Sequence, residues 1–192
     1  VQELEHRVKN MLALVQSLAN QTNADDPSAR AFRDAFLGRL RALARAENLV
    51  FDDHAQVVEI EQLVKRSVEP FQTRGGKAIS IEGCPLRLLA RVGRILALVM
   101  HELGTNATKH GALSVPEGEV HVCWEVEGSA EERRLRFLWR EQNGPKVSPP
   151  DREGFGTRLL STLAGYELDG EAQLSYLSEG LQYEVSFPIG AE

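Results

Sequence analysis

The sequence predicts an α+β fold in which a two-helix hairpin precedes a single α/β domain. Apolar residues in positions 1–50 recur every three or four residues, which is typical of amphipathic helices. The pattern changes near Val57, where short β-branched runs begin to flank a long apolar-rich segment. Two later segments alternate apolar and polar residues with a period of two, as paired strands do. A chain of 192 residues is long enough for both parts.

The hairpin is predicted over residues 1–54. Its first helix carries apolar residues at Leu4, Val8, Met11, Val15 and Leu18. The stretch 23–27, which ends in Asp-Asp-Pro, stops this helix. The second helix runs to about Val50, with Ser28 as the expected N-cap. Its apolar positions are Phe32, Phe36, Leu40 and Leu43. Helices this close in sequence are expected to pack antiparallel.

Residues 55–192 form the predicted α/β domain. Its expected elements, in order, are a strand at 57–60, a helix at 63–71, a strand at 77–82, a long helix at 86–110, strands at 119–126 and 134–140, a helix from 154 to 163, and a hairpin of strands at 172–177 and 182–187.

Composition excludes several classes of protein. The hydrophobic fraction of 42% and the charged fraction of 26% are those of a folded globular protein. The net charge of −6, without a block of basic residues, excludes an ordinary nucleic-acid surface. Cys84 and Cys123 are isolated, so the sequence predicts a reducing, cytoplasmic location and no disulfide framework. The chain begins within a helix, and we expect a sensor region upstream of it.

His6 is the first candidate functional residue. It faces away from the apolar stripe of the first helix, with Arg7 and Lys9 nearby. A neutral imidazole is a competent nucleophile near neutral pH, and the neighbouring cations suit phosphate. An ordinary surface histidine has the same pattern, so His6 needs the other motifs to be interpreted as a phosphoacceptor.

A second set of candidates lies late in the long helix. Glu102, Asn106 and Lys109 are spaced by four and three residues, so their side chains share one face. Asparagine offers Mg²⁺ a neutral oxygen, lysine offers phosphate a charge, and glutamate is a base or a water-orienting group that could reach a metal through water. A solvated helix face has the same spacing, and that alternative stays open for this segment alone.

The third set surrounds two glycine-containing turns. Glu141 and Gly144 follow the strand at 134–140, and Gly154-Phe155-Gly156-Thr157 opens a helix. Glycines let backbone N–H groups approach phosphate, and a helix N-terminus favours negative charge. Glu141 could accept a hydrogen bond from an adenine amino group. Considered alone, the glycines are consistent with a tight turn, and Trp139 is consistent with an aromatic residue of the core.

Together these motifs resemble the HWE family of histidine kinases. Residues 3–10 are similar to its phosphoacceptor box, residues 101–114 to its N-box, and the segments 139–145 and 154–156 to its G-boxes. His101, Trp139 and Glu141 match the three letters that name the family. The resemblance covers residues 3–188, nearly the whole chain.

The resemblance implies a dimerisation and phosphotransfer hairpin followed by a Bergerat-type (GHKL) ATP-binding sandwich, with a mixed sheet covered by helices on one face. It implies that Asn106 holds Mg²⁺, that Lys109 lies near phosphate, and that Glu141 reads adenine. It implies an ATP lid either at residues 110–118 or at residues 146–153. The sequence departs from the family at His110, where tyrosine is usual, and at Asn143, where glycine is common.

We therefore expect an ATP- and Mg²⁺-dependent protein-histidine kinase that phosphorylates His6 and passes the phosphoryl group to an aspartate of a response regulator. One alternative is a phosphotransfer protein that no longer uses ATP. Another is a GHKL-type ATPase without autokinase activity. A homodimer through the hairpin is expected because two helices bury little apolar area alone. The hairpin could instead pack on its own catalytic domain or on a missing sensor, and a monomer is then possible.

Overall fold

A computed structural model describes residues 15, 26–51, 57–72, 79–129, 132–149 and 155–190. The elements are α1 (Pro27–Phe51), β1 (Val57–Glu59), α2 (Ile60–Val68) followed by a 3-10 turn (Glu69–Phe71), β2 (Ile79–Gly83), β3 (Arg87–Leu89), α3 (Ala90–Lys109), a second 3-10 turn (Ala112–Ser114), β4 (Glu119–Glu127), β5 (Arg134–Gln142), α4 (Phe155–Arg158), a π-helical turn (Leu159–Leu163), α5 (Ala164–Glu167), β6 (Glu171–Leu177) and β7 (Gly180–Pro188).

The centre of the α/β domain is a five-stranded mixed sheet with the order β2-β4-β5-β7-β6. Strands β2 and β4 are parallel, and every other neighbouring pair is antiparallel. Strands β1 and β3 form a separate antiparallel pair. The structure therefore confirms the predicted α+β class and the mixed sheet.

The helices cover one face of the sheet. Strands β4, β5 and β7 bury alternate residues, as expected for strands with one face in the core. Phe137, Trp139 and Phe187 have no exposed surface. Leu96, Met100 and Leu103 of α3 are also fully buried, and their spacing of four and three places one helical stripe against the sheet.

Two predicted helix boundaries were wrong. Helix α3 begins at Ala90 rather than near residue 86, because Arg87–Leu89 pairs with Val57–Glu59 as a strand. The helix predicted for 154–163 is interrupted: after Arg158 it passes through a π-helical turn and continues as α5 to Glu167. The apolar periodicity of these segments does not distinguish a buried strand end or a π turn from a regular helix.

The N-cap of helix α1 is not the predicted Ser28. Its N-cap is Asp26, whose Oδ1 accepts hydrogen bonds from the backbone N–H groups of Ser28 and Ala29. Pro27 occupies the first helical position, where its missing N–H costs nothing. Of its apolar positions, Phe32 is 70% exposed and Leu40 is half-buried, whereas Leu37 is buried.

Several predictions fall on residues that the structure does not describe. Of residues 1–25 only Val15 is described; it is helical and 38% exposed. The first helix and its antiparallel packing, and the domain boundary at 54/55, therefore stay predictions. Among the described helices, none has the length and apolar character needed to cross a membrane.

Candidate functional site

A cavity of about 340 Å³ lies beside the C-terminal end of α3 and the end of β5. Its polar lining comes from segments that are far apart in sequence: Asn106, His110, Glu141, Lys146, Ser148 and Thr157. The remaining wall is mostly apolar, from Val147, Tyr176 and Leu181. A concave site in which converging polar groups face an apolar wall is typical of small-molecule binding.

Glu141 is the buried carboxylate of this cavity, with 2% of its surface exposed. Its Oε2 accepts a hydrogen bond of 2.8 Å from the backbone N–H of Ala112. Its Oε1 accepts one of 3.3 Å from the indole Nε1–H of Trp139. Burial raises the pKa of Glu141, and these two donors partly oppose that shift. The carboxylate is thus oriented by two donors and keeps lone pairs available to a ligand.

Trp139 and Glu141 lie two residues apart on β5, so their side chains share the face that points to the helices. Trp139 is fully buried, as the simpler interpretation of a core aromatic predicted. Its indole nevertheless contacts the site by orienting Glu141.

The turn at 111–114 closes one side of the cavity. A Cβ added at Gly111 would overlap Glu141 Oε2, so only glycine lets this backbone pass the carboxylate. Ala112 is 1% exposed, and a Cβ added at Gly144 would lie 2.6 Å from its Cα. Residues 110–118, the first candidate lid segment, are therefore packed against Glu141 at Gly111 and Ala112.

The second candidate lid segment begins inside the cavity wall. Lys146, Val147 and Ser148 line the cavity, whereas residues 150–153 lie outside the described residues. Asn143, which replaces a common glycine, has a φ of 56°. Asparagine tolerates this left-handed conformation better than most residues, which explains why it can stand there.

Three of the candidate residues, Asn106, Glu141 and Thr157, line one cavity. Lys109 is exposed at the end of α3 and does not line the cavity. Lys146 and His110 supply nitrogen groups there instead. His6 and Gly154 lie outside the described residues, as does the side chain of Phe155, whose backbone begins α4.

Glu102 faces helix α1. It is 5% exposed, and Arg39 binds it through two hydrogen bonds, Nε to Oε1 at 2.5 Å and Nη2 to Oε2 at 3.1 Å. A Cβ added at Gly156 would overlap Glu102 Oε2, so the start of α4 also lies against this carboxylate. Arg39 was not a sequence-based candidate, because nothing in the motif pattern links it to residue 102.

Tyr176, Leu181 and Val147 were also missed by sequence reasoning. Tyr176 and Leu181 are register partners in the β6–β7 hairpin. They reach the cavity only because β7 pairs with β5. A weak sequence signal existed for Lys146, a cation directly after the Gly144-Pro145 turn.

The donor set suits Mg²⁺ held mainly by phosphate and water. Asn106 offers an amide oxygen, and this metal is usually bound through few protein ligands. The described residues contain no group of three or more histidine, cysteine, aspartate or glutamate side chains that could hold a metal by themselves.

Comparisons with known proteins find similarity to histidine kinases. A family model described as HWE histidine kinase matches residues 3–85. A blue-light-activated histidine kinase of Brucella anthropi is 38% identical over 192 residues, which are 99% of this chain and 39% of that protein. One of the same name from Brucella ovis is 34% identical over 190 residues, again 99% of this chain and 39% of that protein. The chain thus spans about two fifths of these relatives.

Solved structures share the fold. The histidine kinase domain of the Erythrobacter litoralis EL346 blue-light activated histidine kinase aligns with a TM-score of 0.62 at 13% identity, over 97% of this chain and 94% of that one. The catalytic domain of the histidine kinase ThkA aligns with a TM-score of 0.51 at 14% identity, over 71% of this chain and 97% of that one. At such identities the likeness concerns the fold alone.

Proposed function

The chain belongs to the HWE histidine kinase family, and we propose that it uses ATP and Mg²⁺ to phosphorylate its own His6. The phosphoryl group then passes to an aspartate of a response regulator. The observation that carries the proposal is the cavity in which Asn106, Glu141 and Thr157, from three separate motifs, meet.

The chemistry of the cavity supports a nucleotide ligand. Glu141 is a buried acceptor fixed by two N–H donors, which suits the amino group of adenine. Val147, Tyr176 and Leu181 offer an apolar wall for the base. Lys146 and His110 are placed in the same cavity and suit phosphate charge.

In the proposed reaction a ring nitrogen of His6 attacks the γ-phosphorus of ATP. An N–P bond forms, the bond from phosphorus to the bridging β-phosphate oxygen breaks, ADP leaves, and the N–H proton of the phosphorylated ring passes to solvent. Positioning and charge neutralisation dominate such a transfer. Bound Mg²⁺ would neutralise phosphate charge, and Asn106 is the residue proposed to hold it, with Glu102 through water. Lys109 is proposed to attract phosphate from the rim of the cavity. The backbone N–H groups at Gly144 and in the segment Gly154-Phe155-Gly156-Thr157 are proposed to approach the phosphate groups.

The wider assignments are part of the same proposal. Residues 1–54 form the phosphotransfer hairpin, which docks the response regulator and pairs with a second copy, and residues 55–192 form the ATP-binding domain. Signal input belongs to a sensor region outside this chain, in keeping with the greater length of the relatives. Cys84 and Cys123 are both free thiols, which suits a cytoplasmic location.

The test is incubation of the purified chain with γ-labelled ATP and Mg²⁺, beside His6→Ala and Asn106→Ala variants. We expect acid-labile, base-stable label on the unaltered chain and none on either variant. An unlabelled chain that hydrolyses ATP would favour the ATPase alternative. A chain that binds no ATP but accepts phosphate from a phosphorylated regulator would favour the phosphotransfer-only alternative.

A further inference from the structure

Helix α1 contacts the α/β domain through two consecutive residues. Gly38 lies against His101, and Arg39 binds Glu102. These contacts join the helix of the phosphotransfer hairpin to the first two residues of the N-box motif.

The packing at Gly38 is tight. A Cβ added there would lie 2.9 Å from His101 Nε2. The His101 ring also lies 5.9 Å, centroid to centroid, from the ring of Phe71. The histidine that gives the family its first letter therefore lies at the contact between α1 and α3 and does not line the cavity.

The ion pair connects this contact to the candidate nucleotide site. Both Glu102 oxygens accept hydrogen bonds from Arg39. The same carboxylate lies against Gly156, and Asn106 is four residues further along α3, on the same helix face. One carboxylate thus lies between the hairpin helix, the start of α4 and the proposed Mg²⁺ ligand.

We propose that Arg39 and the Mg²⁺–nucleotide compete for Glu102, so that the docked position of α1 and a fully loaded nucleotide site oppose each other. This inference rests on the proposed function, since it assumes that the cavity binds Mg²⁺–ATP. Nucleotide binding withdraws Glu102 from Arg39 and loosens α1 from α3. That release frees the hairpin to bring His6 to the γ-phosphate.

The physical basis is the limited capacity of a buried carboxylate. Glu102 is 5% exposed, Arg39 binds both of its oxygens, and Gly156 lies against Oε2. The packing around this carboxylate therefore leaves no equivalent place for a Mg²⁺-bound water while Arg39 is bound. If the docked form dominates, the apparent affinity for Mg²⁺–nucleotide is reduced by the fraction of chains that are undocked.

The first test compares binding of a non-hydrolysable ATP analogue to the unaltered chain, Arg39→Gln and the matched control Arg41→Gln, each with Mg²⁺ and with EDTA. Arg41 is an exposed arginine of the same helix. We expect Arg39→Gln to tighten binding about 3- to 10-fold with Mg²⁺, with a smaller gain in EDTA and no change in Arg41→Gln. Equal or weaker binding by Arg39→Gln with Mg²⁺ would overturn the competition and make Arg39 a phosphate ligand or a purely structural residue.

A second measurement keeps Arg39 intact, in case its loss unfolds the contact. Spin labels are placed at Ala31→Cys on α1 and Glu171→Cys on β6, in a chain whose Cys84 and Cys123 are changed to serine. By reciprocity, saturating analogue with Mg²⁺ must shift or broaden the distance between the labels. Bound analogue with an unchanged distance would refute the inference while leaving the proposed function intact. If neither the unaltered chain nor Arg39→Gln binds nucleotide, the proposed function itself fails.

Discussion

Glu141 shows how one residue can be both structural and functional. Its carboxylate is fixed by the Ala112 N–H and the Trp139 indole, so it holds the turn at 111–114 onto the end of β5. The same group is the buried acceptor of the cavity. Its removal therefore has to be separated into a stability effect and a binding effect.

The pH dependence of Glu141 provides that separation. Burial raises its folded-state pKa above the ordinary value of 4.5. Between these two pKa values the folded state binds more protons than the unfolded state, so the free energy of unfolding falls as the pH rises. Nucleotide affinity should change in the opposite direction, because adenine needs the ionised acceptor. We expect affinity to rise with pH across the same window.

Urea unfolding and nucleotide binding, both measured over a pH series that starts near 4.5, check this prediction. Glu141→Gln should flatten both profiles in that window, since the amide does not titrate. Stability and affinity that rise together with pH in the unaltered chain would contradict the assignment of Glu141 as a buried acceptor.

Gly111 gives a steric prediction. A Cβ at this position would overlap Glu141 Oε2 and lie 2.9 Å from the Cα of Ala107, so neither neighbour can move away cheaply. We expect Gly111→Ala to lower the free energy of unfolding by about 1–3 kcal/mol and to weaken nucleotide binding. Gly190→Ala is the control, because nothing lies within 4 Å of its added Cβ. Equal midpoints of urea unfolding for the two variants would show that the turn relaxes freely.

At the scale of elements, the start of α1 provides the next prediction. Asp26 accepts the N–H groups of Ser28 and Ala29, and these hydrogen bonds lower its pKa below 3.8. We expect Asp26→Ala to reduce helical content and the midpoint of thermal unfolding at neutral pH. Ser28→Ala should have a much smaller effect, because the Ser28 hydroxyl is the weakest of the three donors to Asp26. The far-UV circular dichroism signal measures both quantities.

The pH dependence of the cap gives a second readout. Because the folded-state pKa of Asp26 is lowered, its contribution is complete above the unfolded value and is lost as the pH falls through the folded one. The difference between Asp26→Ala and the unaltered chain should therefore shrink in acid below pH 3.8. A larger effect from Ser28→Ala than from Asp26→Ala would restore the cap expected from the sequence.

Most elements of the α/β domain were predictable because their side-chain periodicity is strong. Strands β4, β5 and the β6–β7 hairpin have one face in the core, so their period of two is visible in the sequence. Strand β3 was not predictable: Arg87–Leu89 has a register with Val57–Glu59 that only the tertiary fold creates. The π turn at Leu159–Leu163 likewise leaves no distinct apolar pattern.

The site residues that belong to local sequence motifs could be predicted. Those that reach the site only through the tertiary fold could not. Asn106, Glu141 and Thr157 belong to local motifs and meet in one cavity. Tyr176 and Leu181 come from a hairpin without any motif, and Arg39 approaches Glu102 across 63 positions of sequence. Spacing within one segment does not reveal a partner on another.

At the scale of the whole molecule, α1 has two different faces. One face packs on α3 of the α/β domain, where Gly38 lies against His101 and Arg39 binds Glu102. Elsewhere on the helix Phe32 and Phe36 stack with ring centroids 6.4 Å apart, and they are 70% and 36% exposed. Docking on the catalytic domain therefore leaves an aromatic pair available to another surface, so the two packing arrangements considered for the hairpin are compatible.

We predict that this aromatic pair takes part in the proposed homodimer. Exposed aromatic pairs on amphipathic helices are usually covered by a partner, and a second hairpin completes a four-helix bundle. Phe32→Ser/Phe36→Ser should raise the dimer dissociation constant at least about 10-fold, equivalent to ~1.4 kcal/mol.

Tyr166→Ser on α5 is the control, since Tyr166 is 78% exposed but lies on another element. Light scattering over a concentration series measures the change. This pair would be excluded from the dimer contact if the unaltered chain stays monomeric throughout, or if both variants dissociate equally. Selective dissociation of the double variant would place the contact on the exposed face of α1.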